Sequence, residues 1–387
     1  MTTSKPARHA IAASHVFDGA VIRRDTVVII EDGLIARVLP RAELAPDTPI
    51  DSLPDGLWLV PGFIDLQVNG GGDVLFNDRP TPDGIAAIAA AHRKFGTTGL
   101  LPTLITDTPE KMRAAIEAVR EARQTQLGVL GIHLEGPFLS PHRPGVHAVR
   151  HIRAPQPSDI ETLAAVRAGA MLITLAPEEV PKDFIRQLIA SGIRVSLGHS
   201  AATYQQTRAA LAEGLTGFTH LFNAMPPLLA REPGPIAAAL ESRDVFYSLI
   251  VDGVHVDPAM LRLALRGAGR PILVTDAMPP VGGTAKAFKL YGDDITVAGD
   301  RCLRNGALAG AILDMASAVR NCMRMLAVPL ERALAFASLH PAEFLGLGGS
   351  LGRIAPGFRA DLVALDPGSV HVVRTWVAGQ RLDAAPP

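Results

Sequence analysis

Three short stretches place metal-ligating side chains at the ends of apolar runs: Glu135 in HLEGPF, His199 in SLGHS and His220 in FTHLFN. Two imidazoles and a carboxylate are the nitrogen and oxygen donors of a divalent metal site, and three protein ligands leave a fourth position for water, as catalytic sites do. A single histidine or glutamate in such a place is more often a satisfied polar core residue; three at separate run ends point to an ion. Asp276, in LVTDAM, ends a further run. A carboxylate facing a metal-lined pocket takes a proton from water and returns it to a leaving nitrogen, whereas an aspartate of purely structural use would cap the following turn. His147, in RPGVH, lies on a loop from which an imidazole stabilises an oxyanion. Asn223 and Ala224 follow His220 directly, Arg231 lies in AREPGP and His255 in VDGVH. A cation, an imidazole and backbone amides grouped in this way form a phosphate cradle.

These residues need a scaffold that brings distant run ends together. Eight apolar runs, from LWLVPGFIDLQV to PILVTDAM, are bounded by turn residues and mostly separated by Ala-rich helical stretches. Repeated alternation of apolar strands with helices implies a parallel sheet buried on both faces, and eight units imply closure into a barrel. A doubly wound sheet would not ordinarily place polar residues at nearly every strand end. Here those ends read Gln67 and Asn69, Thr106, Glu135, Pro177, His199, His220, His255 and Asp276, and in a barrel they converge on one face. The Gly70–Gly72 triplet reads as a flexible loop over the barrel mouth. His92, His133, His151 and His340 read as structural, with His142 unassigned. Both chain ends carry β-branched runs broken by Asp-Gly or other turn signals. The expected fold is α/β: a (β/α)8 TIM-type barrel over 61–349, with a small β-sandwich domain assembled from 1–60 and 350–387.

Composition narrows the partners. With 37 basic and 38 acidic residues and a net charge of −1, the chain has no basic stripe for nucleic acid or an anionic membrane. The N-terminus lacks the apolar stretch of a secretory signal, and no run of 18 apolar residues occurs, so a cytoplasmic location is expected. Cys302 and Cys322 form no CxxC, which fits a reducing compartment. No P-loop or GxGxxG follows a strand, so nucleotide cofactors are not indicated.

The stretches PGFIDLQVNG, HLEGPF, GVH, LGHSAATY, THLFNAMPPL, AREPG, VDGVHVD, LVTDAM and LAG resemble, through essentially the whole chain, the N-acetylglucosamine-6-phosphate deacetylases of the amidohydrolase superfamily. The resemblance implies Glu135, His199 and His220 as metal ligands and Asp276 as catalytic acid/base. It implies Val146, His147, Asn223, Ala224, Arg231, His255, Leu308, Ala309 and Gly310 as substrate contacts, and a homodimer in which Arg231 reaches the neighbouring active site. The substrate it implies is an amino-sugar phosphate. The wider superfamily carries His-x-His on its first strand and often a carbamylated lysine; here Gln67 and Asn69 stand in the histidine positions and Glu135 supplies the carboxylate. Neutral amides bind transition metals poorly, so one ion per subunit is expected: Zn2+ first, with Fe2+, Mn2+ or Co2+ also suited to the donor set. An N-acetylgalactosamine-6-phosphate deacetylase, a cyclic amidase and a non-catalytic sugar-phosphate-binding barrel remain as alternatives.

Overall fold

A computed structural model describes residues 8–165 and 168–381 of the chain. The barrel strands are β1 (Phe63–Val68), β2 (Thr97–Ile105), β3 (Gly131–Glu135), β4 (Ala170–Leu175), β5 (Arg194–Leu197), β6 (Gly217–Phe218), β7 (Phe246–Leu249) and β8 (Arg270–Leu273). They lie in one sheet in chain order, with parallel pairing throughout β2–β8. The first and last strands meet past their ends through a parallel bridge, Val68 to Ala277, so the sheet is nearly closed. Every residue of β1, β2 and β3 is buried, as a strand covered on both faces requires. A helix follows each of β1–β7 in sequence. Thr108 and Asp257 cap two of these helices, and Thr203 with Gln206 forms a capping box on a third, which satisfies amide groups that a helix start leaves orphaned.

The expectation of a barrel with a β domain from both chain ends holds, with one strand divided differently. The run LWLVPGFIDLQV is two strands. Trp58–Pro61 pairs with His9–Phe17 and Leu362–Leu365, and only Phe63–Val68 enters the barrel. The break falls at Gly62, where a Cβ would lie 2.1 Å from Thr98 Oγ1. The sheet of the chain ends has eight strands, running from Gln380–Arg381 through Leu362–Leu365 and His9–Phe17 to Leu34–Pro40. Its residues alternate between two apolar clusters, Ile11, Val28 and Ile30 on one side, Ala12, Val27 and Ile29 on the other. Asp32 and Gly33, at φ of 51° and 79°, make the tight hairpin turn that an Asp-Gly pair favours.

The chain separates into two compact units. One holds residues up to Ile64, His92–Gly99 and those from Met315 onward; the other holds Asp65–Ala91 and Leu100–Asp314. Of the terminal segments assigned from sequence to the β domain, 1–7 and 382–387 lie outside the described residues. Between β8 and the helix Met315–Leu326 runs an antiparallel meander of four strands, Ala287–Leu290, Asp293–Ala298, Arg301–Arg304 and Ala307–Ala311, which sequence reading did not find. The Gly70–Gly72 triplet is not an open loop. Gly70 and Gly71 pair with Val74 and Leu75 in a buried hairpin. The glycines are needed for close approach: a Cβ on Gly70 would lie 2.5 Å from the Val74 carbonyl oxygen. Among the described residues no helix is long and apolar enough to cross a membrane.

Candidate metal centre and active site

Glu135 is the last residue of β3, His199 and His220 follow β5 and β6 by two residues, and Asp276 follows β8 by three. The last three have φ of 48°, 33° and 51°, a left-handed conformation that β-carbons disfavour. Such strain clusters where side chains are held for function.

The three proposed ligands converge. Glu135 Oε1 lies 3.0 Å from His220 Nε2 and 3.2 Å from His199 Nε2, and the two imidazole nitrogens are 3.1 Å apart. All three residues are buried, and their donor atoms fall within 4.8 Å of one another. His199 Nδ1 sits 3.0 Å from the Arg143 carbonyl oxygen; a carbonyl only accepts, so the proton is on Nδ1 and the Nε2 lone pair faces Glu135. A metal-binding histidine donates its other ring N–H to a carbonyl in this way. Three N and O donors facing one point fit a divalent ion between them. Burial alone would raise the Glu135 carboxyl; the adjoining His199, His220 and His147 side chains hold it well below the usual carboxylate range.

Asp276 faces this cluster. Gln67 Nε2 donates to both Glu135 Oε1 (3.0 Å) and Asp276 Oδ1 (3.1 Å), and Asn69 Nδ2 donates to Asp276 Oδ1 at 2.7 Å. Gln67 thus ties the two carboxylates together, and both amides, which in sequence are only poor metal ligands, occupy one Asp276 oxygen. Gln67 Oε1, Asn69 Oδ1 and His220 Nδ1 are buried without a hydrogen-bond partner. Burial first, then the Glu135 charge, pushes the Asp276 carboxyl up to about 6, although His220, His255 and Asn69 pull the other way. A carboxyl in that range suits a group that both accepts and donates a proton near neutrality.

His147 stands 3.7 Å from Glu135 Oε2 through Nε2. Its Nδ1 meets the Thr106 amide at 3.2 Å and the Thr106 hydroxyl at 2.9 Å. An amide N–H only donates, so Nδ1 accepts and Nε2 carries the proton. Burial, then the charge of His199, drives His147 down to about 3, leaving a neutral imidazole that donates from Nε2. His255 Nδ1 is 2.6 Å from Asp252 Oδ2, while Asp252 Oδ1 accepts from the Val254 and His255 amides. Asp252 therefore fixes both the tautomer and the position of His255.

One cavity of about 190 Å³ gathers most of the sequence-derived set: the three ligands and Asp276, then Val146 and His147, Asn223 and Ala224, His255, Leu308 and Gly310. Ala309 is absent from its lining and is fully buried in an apolar cluster with Met278 and Leu290. Arg231 is exposed and does not line it. Ile105, Ile250 and Met278 line it as well. Sequence reading passed over them, because apolar residues beside strand ends carry no mark of function.

Under the mouth lies a second polar layer. His133, two residues before Glu135, has Nδ1 3.0 Å from the Leu66 carbonyl oxygen and Nε2 2.7 Å from Thr174 Oγ1. Thr174 and Thr219 hydroxyls are 2.7 Å apart, and Thr219 reaches Ser196 at 2.8 Å. Asp65 accepts from the Thr275 hydroxyl at 2.5 Å and from the Gln67 amide at 3.2 Å, tying β1 to the segment that carries Asp276.

The amidohydrolase family model matches residues 58–382, and the chain belongs to that family. It is 43% identical to the N-acetylgalactosamine-6-phosphate deacetylase of Shewanella sp. (strain ANA-3), over 91% of this chain and 90% of that one. It is 34% identical to the N-acetylglucosamine-6-phosphate deacetylase of Haemophilus influenzae, over 96% and 99%. The crystal structure of N-acetylglucosamine-6-phosphate deacetylase from Pasteurella multocida superimposes with a TM-score of 0.94 at 33% identity, covering 98% of this chain and all of that one.

Proposed function

We propose that the chain hydrolyses the acetamide of N-acetylglucosamine-6-phosphate to glucosamine-6-phosphate and acetate. The observation that carries this reading is the convergence of Glu135, His199 and His220 opposite Asp276 in one cavity, in a chain similar along its length to enzymes of that name. Glu135, His199 and His220 hold one divalent ion, Zn2+ by donor preference, with Fe2+, Mn2+ and Co2+ suited to the same set. When bound, that ion supplies the charge that makes water nucleophilic at neutral pH and polarises a carbonyl. Gln67 and Asn69 hold Asp276 Oδ1, which leaves Oδ2 to take the proton of the attacking water and then pass it to the amine nitrogen. His147 donates from Nε2 to the oxygen on which charge grows. His255, set by Asp252, and the Asn223-Ala224 turn hold the sugar phosphate, whose binding energy fixes the acetamide over the cluster. Arg231, exposed and absent from the lining of its own cavity, reaches the phosphate in the neighbouring subunit of a homodimer. The barrel over 61–349 is the catalytic part, with 1–60 and 350–387 as the companion domain. A phosphorylated sugar does not cross a bilayer unaided, so the reaction is assigned to the cytoplasm.

The test is acetate release from N-acetylglucosamine-6-phosphate, with elemental analysis of the same preparation. No acetate from protein holding one equivalent of metal sinks the reading, and two equivalents would favour a cyclic amidase. The galactosamine epimer is the second reading, favoured by the Shewanella relative's name. The epimers differ at one hydroxyl, so kcat/KM for both, measured side by side, assigns the substrate.

A further inference from the structure

The cavity lining is mixed, with polar Asn69 just after β1 and apolar Ile250 just after β7, but most of its other residues fall into two groups. Asn223 and Ala224 after β6, and His255 after β7, bring polar side chains and backbone amides. Ile105 at the end of β2, Val146 after β3, and Met278 and Leu308 after β8 bring apolar groups. Around the barrel the second set flanks β1, away from the β6 loop. Two of its members also lie close in sequence to the reacting groups or to the residues that hold them. Ile105 precedes Thr106, whose amide and hydroxyl hold His147, and its own backbone is pinned by Asn77 through its N–H (3.1 Å) and its carbonyl (2.9 Å). Met278 lies two residues past Asp276, and its N–H donates to the Ala311 carbonyl oxygen at 3.0 Å. Both side chains are buried members of one apolar cluster with Leu75, Leu290 and Ile295.

We infer that Met278, with Ile105, forms the seat of the acyl methyl group and sets the length of acyl chain the enzyme removes. The inference rests on the deacetylase reading and extends it to acyl specificity. A carbonyl carbon placed between Asp276 and His147 carries two further substituents. The nitrogen leads to the sugar and its phosphate, which belong with the polar half; the methyl is left for the apolar half. Gly310 supports this placement. A Cβ there would lie 2.5 Å from Met278 Cγ and 2.9 Å from Sδ, so the absence of a side chain at Gly310 gives the methionine its position. Gly310 also has φ +73°, which glycine adopts readily. Its proposed part in substrate binding is thereby explained: it makes room for the residue that measures the acyl group.

Met278→Ala removes Cγ, Sδ and Cε, more heavy atoms than the two that lengthen an acetyl to a butyryl group. One methylene in an apolar pocket changes kcat/KM by about 10-fold or more. The measurement is kcat/KM for the N-acetyl, N-propionyl and N-butyryl forms of the same amino-sugar phosphate, in wild-type protein, Met278→Ala, Met278→Leu, Ile105→Val and Ile250→Ala. The expected result is a butyryl-to-acetyl ratio about 10-fold or more above wild type in Met278→Ala, and raised by a smaller factor in Ile105→Val. Met278→Leu and Ile250→Ala keep the wild-type ratio. An unchanged ratio in Met278→Ala, or a larger rise in Ile250→Ala, overturns the inference while leaving the deacetylase reading intact. Should Met278→Ala fail to fold, an unchanged ratio in Ile105→Val overturns it as well. Wild-type protein that releases none of the three acyl groups removes the deacetylase reading, and this inference with it.

Discussion

Two polar layers lie a few residues apart along the same barrel strands, and they are built on opposite rules. In the lower one, His133, Thr174, Thr219 and Ser196 hydrogen-bond to one another and to the Leu66 carbonyl. In the upper one, lone pairs of Glu135, His199 and His220 crowd one point, and Gln67 Oε1, Asn69 Oδ1 and His220 Nδ1 have no partner. His133 and Glu135 are separated by one residue and share a strand face, since side chains two apart point the same way. Burial penalises both layers. The lower layer removes the penalty internally; the upper one keeps it until an ion and a substrate arrive. A satisfied network contributes rigidity, and an unsatisfied one contributes chemistry.

The sharpest test of that contrast is Asp276→Asn. It keeps the shape of the mouth and removes the proton carrier, so kcat should fall by about 10² to 10⁴-fold while elemental analysis finds the metal retained. Turnover close to wild type would mean that the upper layer does no proton transfer, and the distinction between the layers would fail.

Asp65 belongs to the lower layer and is a buried carboxyl that desolvation pushes up to about 7. The unfolded chain releases that proton near 3.8, so between those pH values the native state binds more protons than the unfolded state and stability falls as pH rises. The stabilisation is complete below the unfolded value and is lost as pH passes the folded one, an effect on the order of 4 kcal/mol. Asp65→Asn should flatten this part of the stability profile, read by urea unfolding from pH 4 to 8 as the difference from wild type. A wild-type and variant pair with parallel profiles would show that Asp65 is charged at no cost.

His133→Phe tests the same layer without titration. It removes the Nε2 partner of the Thr174 hydroxyl, which keeps Thr219, and the Nδ1 donor to the Leu66 carbonyl, which should reduce stability by about 1–3 kcal/mol. Adding Thr174→Val should restore part of that loss, because replacing both partners is less harmful than stranding one. Stability is read from the urea midpoint, and kcat per bound metal should stay within about threefold of wild type, since His133 touches no reacting group. A kcat loss as large as that of Asp276→Asn would merge the two layers into one functional unit.

The upper layer was far more legible in sequence than the lower. Glu135, His199, His220 and Asp276 stand out because charged groups at the ends of apolar strands need a reason to be there. Thr174, Thr219 and Ser196 carry no such mark, and His133 in the body of a strand reads as structural, which describes its bonding without revealing the network. The Asp32-Gly33 hairpin and the β/α alternation follow from local chemistry. The meander after β8 does not: its strands are short and largely exposed on one face, so their apolar pattern is weak. The Gly70–Gly72 turn misled because three glycines allow flexibility and close packing equally, and only the neighbouring Val74 and Pro279 backbones decide between them. In sequence, Gln67 and Asn69 show only the histidines they replace; their contact with Asp276 spans more than 200 residues.

Arg231 stands outside both layers and gives the smallest expected effect. Exposed on the loop after β6, it lines no part of its own cavity, so the chemistry of either layer should not depend on it. If it grips the phosphate of a neighbouring subunit's substrate, Arg231→Ala raises KM about 10-fold for the phosphorylated substrate, the loss of about one charge-assisted contact. It leaves kcat unchanged and has no effect on unphosphorylated N-acetylglucosamine. Sedimentation of the variant separates this from loss of the dimer, since a monomer would lose the contact for a different reason. A matching rise in KM for the unphosphorylated sugar would remove Arg231 from the phosphate. It would then return the arginine to what its exposure alone describes, a solvated side chain whose loss is felt through the fold of its loop.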